Sequence, residues 1–394
     1  MIKLIKTTFY KEMETKRNLS KFITSAKQLS FGVECKKFEE RFAKYQNRKH
    51  CIFFNSGSSA NLGLIQALLN LGQIQKGDHS AFSALTWATN LMPLIELGLN
   101  VVPVDVELDT LNVSSRKFTD ILEKYPLKLF FLTNLLGFCD DIDEIVKICK
   151  KRKIILIEDN CEGLGSVYKG KKLGNFGLAS TFSFYVGHHL STIEGGAVCT
   201  DSDQLAIMLR LVRAHGWDRN IGLDEQSVIR KNYRVDSSFY AMYTFYDLGY
   251  NLRPTEITAF LGNTQLKYLD EIIEKRKRNF QMIADEVYKL TDLYYPLRFA
   301  QLDIISNFAF PVICRSKSGL EKLIKNCQGK IEIRPIVGGD MTVQPFFNKY
   351  LPHFQNISST PNAKLIHNQG LYVGNNPDLT KKEIKTIIDV FTNQ

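Results

Sequence analysis

The eight cysteines of this 394-residue chain (Cys35, Cys51, Cys139, Cys149, Cys161, Cys199, Cys314 and Cys327) include no CxxC pair. Common zinc sites and dithiol redox motifs are thereby excluded. No apolar stretch reaches the roughly 20 residues that a spanning helix needs, which argues against an integral membrane protein. Internal repeats and low-complexity tracts are also missing, which removes solenoids and disordered tethers. The first residues do not read as a secretory leader. Cysteines inside apolar runs, as in Cys51-Ile-Phe-Phe and Ala-Val-Cys199, read as reduced, buried thiols, and the cytoplasm is the expected compartment.

What is present is the composition of an ordinary folded protein, 44% hydrophobic and 23% charged, long enough for two or three domains. Lys plus Arg number 51 against 41 Asp plus Glu, a net charge of +10 that favours anionic partners. The basic residues fall in short runs, Lys147/Lys150/Lys151/Arg152/Lys153 and Lys275/Arg276/Lys277/Arg278. These read as solvated helix faces, and without a recognition motif nucleic acid is set aside as a partner.

Between about residues 50 and 200, short apolar runs alternate with segments of helical period. That is the pattern of an α/β fold whose sheet is covered by helices on both faces. The expected strands are Cys51–Asn55, Val101–Val104, Lys128–Leu132, Ile154–Glu158, Ala179–Phe184 and Ala197–Thr200. Beyond Asn251-Leu-Arg-Pro254 the pattern changes. Thr255 is expected to open one long, charge-laced helix with Leu261, Leu266 and Leu269 on an apolar stripe. The expected division is a large domain over 1–255 and a smaller α+β domain over 256–394. Strand-like pieces stand at Ser306–Val312 and Lys330–Ile333, with a closing helix from about Thr380.

Sheets of this kind hold their ligands at the carboxyl ends of the strands. The segment Asn55-Ser-Gly-Ser-Ser-Ala-Asn61 follows a strand and opens a helix. Its N–H groups suit a phosphate, although a plain capping turn has the same composition. In Glu158-Asp-Asn-Cys-Glu162, Asp159 and Glu162 can both face the crevice. They read either as a helix cap with a solvated neighbour, or as an acid that pairs with a protonated ring nitrogen. A third segment runs from Ser183 through His188-His189 to Glu194-Gly-Gly-Ala197. Adjacent histidines are weak evidence alone, and their neighbours strengthen it.

Taken in order, seven pieces resemble the sugar aminotransferase family named after DegT, DnrJ, EryC1 and StrS. They are Phe31-Gly-Val-Glu-Cys-Lys-Lys-Phe-Glu39-Glu-Arg-Phe-Ala, Asn55-Ser-Gly-Ser-Ser-Ala, Leu85-Thr-Trp87-Ala-Thr, Glu158-Asp159-Asn-Cys-Glu162, Ser183 to Gly196, Arg213-Ala-His-Gly216 and Gly249-Tyr-Asn-Leu-Arg-Pro-Thr-Glu-Ile-Thr-Ala. The resemblance implies pyridoxal 5'-phosphate on the aspartate aminotransferase (type I) fold, with a large mixed-sheet α/β domain and a smaller C-terminal α+β domain. It also implies that the Gly57 and Ser58 backbones and the Ser183 hydroxyl hold the cofactor phosphate, that Trp87 stacks on the ring, and that Asp159 pairs with the ring nitrogen. Asn251 would complete the phosphate site of the neighbouring subunit in a homodimer. Glu162 stands near the ring hydroxyl, where the aminotransferases usually carry Gln.

One departure decides the expected activity. In the aminotransferases the fifth residue after the phosphate-binding serine is a lysine that forms a Schiff base with the cofactor, and here it is His188. An imidazole can shuttle protons but cannot condense with an aldehyde. The run Glu332-Ile-Arg334-Pro-Ile-Val-Gly-Gly339-Asp-Met-Thr342-Val-Gln344-Pro345-Phe-Phe also resembles the branch that removes a sugar hydroxyl, the nucleotide-linked 4-keto-6-deoxyhexose 3-dehydratases. The stretch after Gly216 lacks the cysteine pair of that branch's iron–sulfur form, which leaves the cluster-free form, with GDP-4-keto-6-deoxy-D-mannose as the expected substrate and no metal. The implied cofactor state is pyridoxamine 5'-phosphate, restored by L-glutamate, and the implied product is a 4-keto-3,6-dideoxy sugar for bacterial surface polysaccharide. His188, with an ordinary pKa of ~6.5, would carry the proton and Asp159 would keep the ring nitrogen protonated. The competing readings are a nucleotide-sugar aminotransferase, for which Lys171 and Lys172 lie too far back along the chain, and a non-catalytic binder of cofactor or nucleotide sugar. Substrate contacts are expected from the loops around Trp217–Asp224 and Arg334–Gln344 and from the partner subunit, for a hexose or a heptose.

Overall fold

The computed structural model describes residues 1–352 and 359–393. Its strands are β1 (His50–Phe54), β2 (His79–Ser83), β3 (Asn100–Val104), β4 (Leu127–Thr133), β5 (Ile155–Asp159), β6 (Val167–Tyr168), β7 (Lys171–Lys172), β8 (Ala179–Ser183), β9 (Gly196–Thr200), β10 (Leu302–Ile304), β11 (Ala309–Ile313), β12 (Ile333–Pro335) and β13 (Gly370–Gly374). Seven form one mixed sheet in the order β1-β9-β8-β5-β4-β2-β3. β3, β2, β4, β5 and β8 run parallel, and β9 is antiparallel to both of its neighbours, β1 and β8. The parallel strands are buried on both faces, which is why Leu129–Leu132 and Ile155–Ile157 appear as unbroken apolar runs. All six expected strands of this sheet form, each within one residue at either end. β2, a central strand, is written His-Ser-Ala-Phe-Ser, and its Ser80 and Ser83 are buried, so no apolar run announces it.

Two smaller sheets, β10-β6-β7 and β11-β13-β12, complete the strands. The pieces expected at Ser306–Val312 and Lys330–Ile333 lie up to three residues later, as β11 and β12. β10 pairs with β6, so a segment beyond residue 256 closes onto the earlier part of the chain. One apolar core joins the two as well, with Val102, Phe130 and Leu132 of the main sheet packed in the same cluster as Phe280, Phe310, Val373 and Phe391. Behind β8 and β9 an aromatic cluster stiffens the platform. Phe38 meets Phe53 and Phe184, and Phe42 meets Phe182 and Phe184, edge-on at 4.8–5.2 Å.

Two expectations need correction. The single long helix from Thr255 is two helices, Glu256–Leu266 and Leu269–Val287. At the break Tyr268 turns to the N-terminal segment, where its ring meets Tyr10 edge-on at 5.6 Å and its hydroxyl donates to Glu14 Oε1 at 3.1 Å. The basic run Lys275/Arg276/Lys277/Arg278 is not a solvated face throughout, because Arg276 is only 4% exposed. Lys147 and Lys150–Lys153, by contrast, are exposed as expected.

Several residues that carry the family resemblance are structural. Arg213, wholly buried, pairs with Glu39 and donates to the Phe53 carbonyl at 2.7 Å. The Glu256 carboxylate accepts from the Gly32, Glu34 and Cys35 amides at 2.9–3.0 Å, closing the N-terminus of helix Val33–Gln46 with a charge opposed to its dipole. Among the described residues all eight cysteines are unpaired, no cluster suits a metal ion, and no helix is long and apolar enough to cross a membrane.

Candidate active site

Parallel strands end at one edge of a sheet, and here three neighbouring ends bring polar residues together. Thr133 at the end of β4 is the register partner of Asp159 at the end of β5, and Asp159 in turn faces Thr181 on β8, two residues before Ser183. Above them lies a cavity of about 530 Å³. Its walls include Gly57, Ser58, Trp87, Asp159, Glu162, Ser183 and His188, which are seven of the eight residues implied by the family resemblance.

Helix Gly57–Asn70 opens at one end of this cavity. Ser56 caps it, its Oγ accepting from Ser59 N at 3.0 Å, while the Gly57 and Ser58 amides, first in the helix, have no intrahelical partner. A Cβ built on Gly57 would stand 2.8 Å from Ser183 Cβ and 3.2 Å from its Oγ. Only glycine lets the helix N-terminus and the serine hydroxyl meet. A second glycine makes this possible from below, because a Cβ on Gly196 would fall 2.3 Å from the Ser56 carbonyl. Two free amides, a helix dipole and a hydroxyl converging on one spot suit a phosphate.

Asp159 lies deeper, 5% exposed. Its Oδ2 accepts from Asn90 Nδ2 at 2.7 Å and Asn61 Nδ2 at 3.3 Å, and its Oδ1 from Cys161 N at 2.8 Å. All three donors are neutral, so the carboxylate keeps its capacity for a cationic partner in the cavity, such as a protonated ring nitrogen. Glu162 differs. It accepts one hydrogen bond, from Leu136 N at 2.9 Å, and burial, seconded by the nearby charge of Asp159, pushes its pKa up to about 8 against the pull of that N–H. At neutral pH it therefore carries a proton and can donate a hydrogen bond, as the amide of a glutamine would.

His188 is presented by a hairpin that folds back onto β8 and β9. Phe184 N donates to Gly195 O at 2.8 Å, Val186 N to Ile193 O at 3.1 Å, and His188 N closes a tight turn onto Tyr185 O at 2.9 Å. The imidazole packs against the Phe308 ring at 5.1 Å between centroids and edge-on to Tyr185 at 5.9 Å. Burial lowers its pKa to about 4, with the Arg276 charge adding to the shift and the Ser183 backbone opposing it. This corrects the ordinary value expected from sequence, and the ring is a neutral base throughout the physiological range. Among the described residues no lysine lines the cavity. Lys171 and Lys172 lie on β7, and Lys172 donates to the Tyr45 carbonyl.

The opposite wall comes from the later part of the chain, with Phe308, Arg334, Pro335, Val337 and Tyr372. Arg334, paired with Glu332 at 2.6 Å, adds a cation at the mouth, where Trp87 is 53% exposed. Asn251 is not on this cavity. It is exposed, and its Oδ1 accepts from Arg253 Nε at 2.9 Å. The Trp217–Asp224 loop also lies elsewhere, with Arg219 stacked over the Trp217 ring at 4.2 Å. Sequence reasoning gave Asn61, the last residue of a segment it singled out, no role, and it overlooked Asn90 and Thr133. Asn61 had a signal, being one helical turn beyond Gly57 and so on the same face; Asn90 had none.

Comparison with known proteins gives a consistent result. The model of the DegT/DnrJ/EryC1/StrS aminotransferase family matches residues 10–392. GDP-4-keto-6-deoxy-D-mannose 3-dehydratase of Escherichia coli O55:H7 is 34% identical over 358 residues, 90% of each chain. The Yersinia pseudotuberculosis enzyme of that name is 34% identical over 382 residues, 96% of this chain and 95% of its own. The solved structure of the E. coli 3-dehydratase with bound hydrated PLP superposes with a TM-score of 0.88 at 32% identity, covering 99% of both chains.

Proposed function

The chain belongs to the DegT/DnrJ/EryC1/StrS aminotransferase family, and from that premise we propose that it is a pyridoxal-phosphate-dependent 3-dehydratase of a nucleotide-linked 4-keto-6-deoxy sugar. The substrate is GDP-4-keto-6-deoxy-D-mannose, L-glutamate is the amino donor, and the product is a 4-keto-3,6-dideoxy sugar for surface polysaccharide. One observation carries the reading: the cavity that suits the cofactor offers an imidazole, His188, and no lysine among its described walls.

The cofactor, when bound, supplies an electron sink conjugated to the sugar. The Gly57 and Ser58 amides and Ser183 Oγ hold its phosphate, Trp87 covers its ring, and Asp159 keeps the ring nitrogen protonated. Glu162, neutral, donates a hydrogen bond beside the ring hydroxyl. With no lysine among the described walls to tether it, retention rests on non-covalent contacts. His188, neutral at rest, would take the proton released at the cofactor's C4′ carbon, and as imidazolium would pass it to the departing C3 oxygen. Its low pKa, set by burial, makes the imidazolium a ready proton donor. Arg334 at the mouth suits the diphosphate of a nucleotide sugar.

We place Asn251 in the phosphate site of a partner chain in a homodimer. The nearby residues Phe239, Tyr240, Tyr243, Phe245 and Leu248 support this, for at 58–72% exposure they leave large apolar side chains uncovered close to it in sequence, as a partner interface would. We divide the chain into a large cofactor domain, 1–255, and a small domain, 256–394, facing each other across the cavity. The eight unpaired thiols support the cytoplasm as its compartment.

Borohydride treatment of the loaded protein tests the reading. The expected result is a bound cofactor that stays non-covalent and that glutamate converts to its amine form. A reduced covalent link means an aminotransferase, and a cofactor unresponsive to glutamate means a non-catalytic binder.

A further inference from the structure

Arg276 approaches the site from behind. It projects from helix Leu269–Val287 and is 4% exposed. A buried guanidinium usually meets a carboxylate, but the hydrogen bonds of this one go to three main-chain carbonyls. Nη1 donates to Asn375 O at 2.6 Å and Phe308 O at 3.2 Å, and Nη2 donates to His188 O at 3.2 Å. Two of these carbonyls belong to the pair whose rings touch, the imidazole of His188 and the phenyl of Phe308, 5.1 Å apart. The third lies just beyond β13. From there Asn375 Nδ2 returns a hydrogen bond to Arg276 O at 2.9 Å and another to Asn307 Oδ1 at 3.0 Å, beside Phe308.

We propose that Arg276 is a positioning residue for proton transfer, its guanidinium holding the peptides of His188 and Phe308 in one fixed relation so that the imidazole is aimed at the reacting atoms. The inference rests on His188 being the proton carrier. Three acceptors on one planar fork define an orientation that a single point charge cannot, and proton transfer is steeply sensitive to such orientation. The buried charge also discourages a second charge on the ring, which keeps the imidazole neutral at rest.

The test uses the full-length, cofactor-loaded enzyme and its glutamate half-reaction, in which the amino donor's Cα proton must also be moved within the cavity and His188 is the base on its wall; the absorbance of the bound cofactor follows it and does not depend on knowing the sugar. R276K keeps the charge and loses the fork, and R276L loses both. Expected are a rate constant lowered roughly 10- to 100-fold in R276K and further in R276L, with the half-saturating glutamate concentration within about twofold of wild type and cofactor retention unchanged. Should R276L fail to fold, R276K decides. A wild-type rate in R276K overturns the proposal, as does a rate loss that only tracks lost cofactor, since either leaves Arg276 as mere packing. Wild-type protein inert toward glutamate overturns the functional reading itself, and this inference with it.

Discussion

Replacing Glu162 by glutamine tests the protonation that the cavity imposes. In the folded chain its pKa is raised from 4.5 to about 8. Between those values the folded state holds a proton that the unfolded state has released. Stability from this group is therefore fully present below the unfolded pKa of 4.5 and is lost as pH rises through about 8. At about 1.4 kcal/mol per unit, the window is worth about 5 kcal/mol. Glutamine preserves shape and donor and has no proton to lose. In urea denaturation of the cofactor-free proteins, E162Q should therefore gain on wild type by about 1.4 kcal/mol per pH unit from about pH 5 to about pH 8. Titrating groups that do not interact with Glu162 cancel in the difference. A stability difference that stays flat over that range refutes the argument, because it means that the carboxyl ionises alike folded and unfolded. Dehydration should survive in E162Q to within about tenfold, since the amide donates where the acid did.

Two further substitutions probe the cofactor's attachment. His188→Lys places an amine on the hairpin, and intact mass after borohydride should show a covalently bound pyridoxyl group while dehydration disappears; an unmodified mass would mean that position 188 does not reach the cofactor. Gly57→Ala puts a methyl 2.8 Å from Ser183 Cβ and should weaken cofactor retention on dialysis by at least roughly tenfold, about 1.4 kcal/mol. Unchanged retention would remove the helix N-terminus from the phosphate site.

Much of this architecture was legible because the parallel strands are buried on both faces and advertise themselves as apolar runs. β2 was not, because a strand that buries serines in place of apolar residues carries no such mark; Ser83 Oγ accepts from Thr133 N at 3.1 Å. The helix break at Tyr268 and the burial of Arg276 are tertiary effects, set by Tyr10 and Glu14 in one case and by the carbonyls of His188, Phe308 and Asn375 in the other. No local pattern encodes them. In the site, the segments that hold Gly57 and Asp159 could be read because strand ends and helix starts confine chemistry to short polar stretches, while the roles of Gly57, Ser183 and His188 came from the family resemblance. The depressed pKa of His188 and the raised pKa of Glu162 could not be read, since both follow from desolvation by residues distant in sequence.

The most direct measurement supplies the wild-type enzyme with pyridoxamine phosphate, L-glutamate and GDP-4-keto-6-deoxy-D-mannose, and follows the sugar by mass spectrometry and ammonia by a coupled assay. The account predicts a sugar that has lost one oxygen, at C3, with one ammonia released per turnover. A sugar that keeps its C3 hydroxyl and carries an amino group at C4 would contradict it.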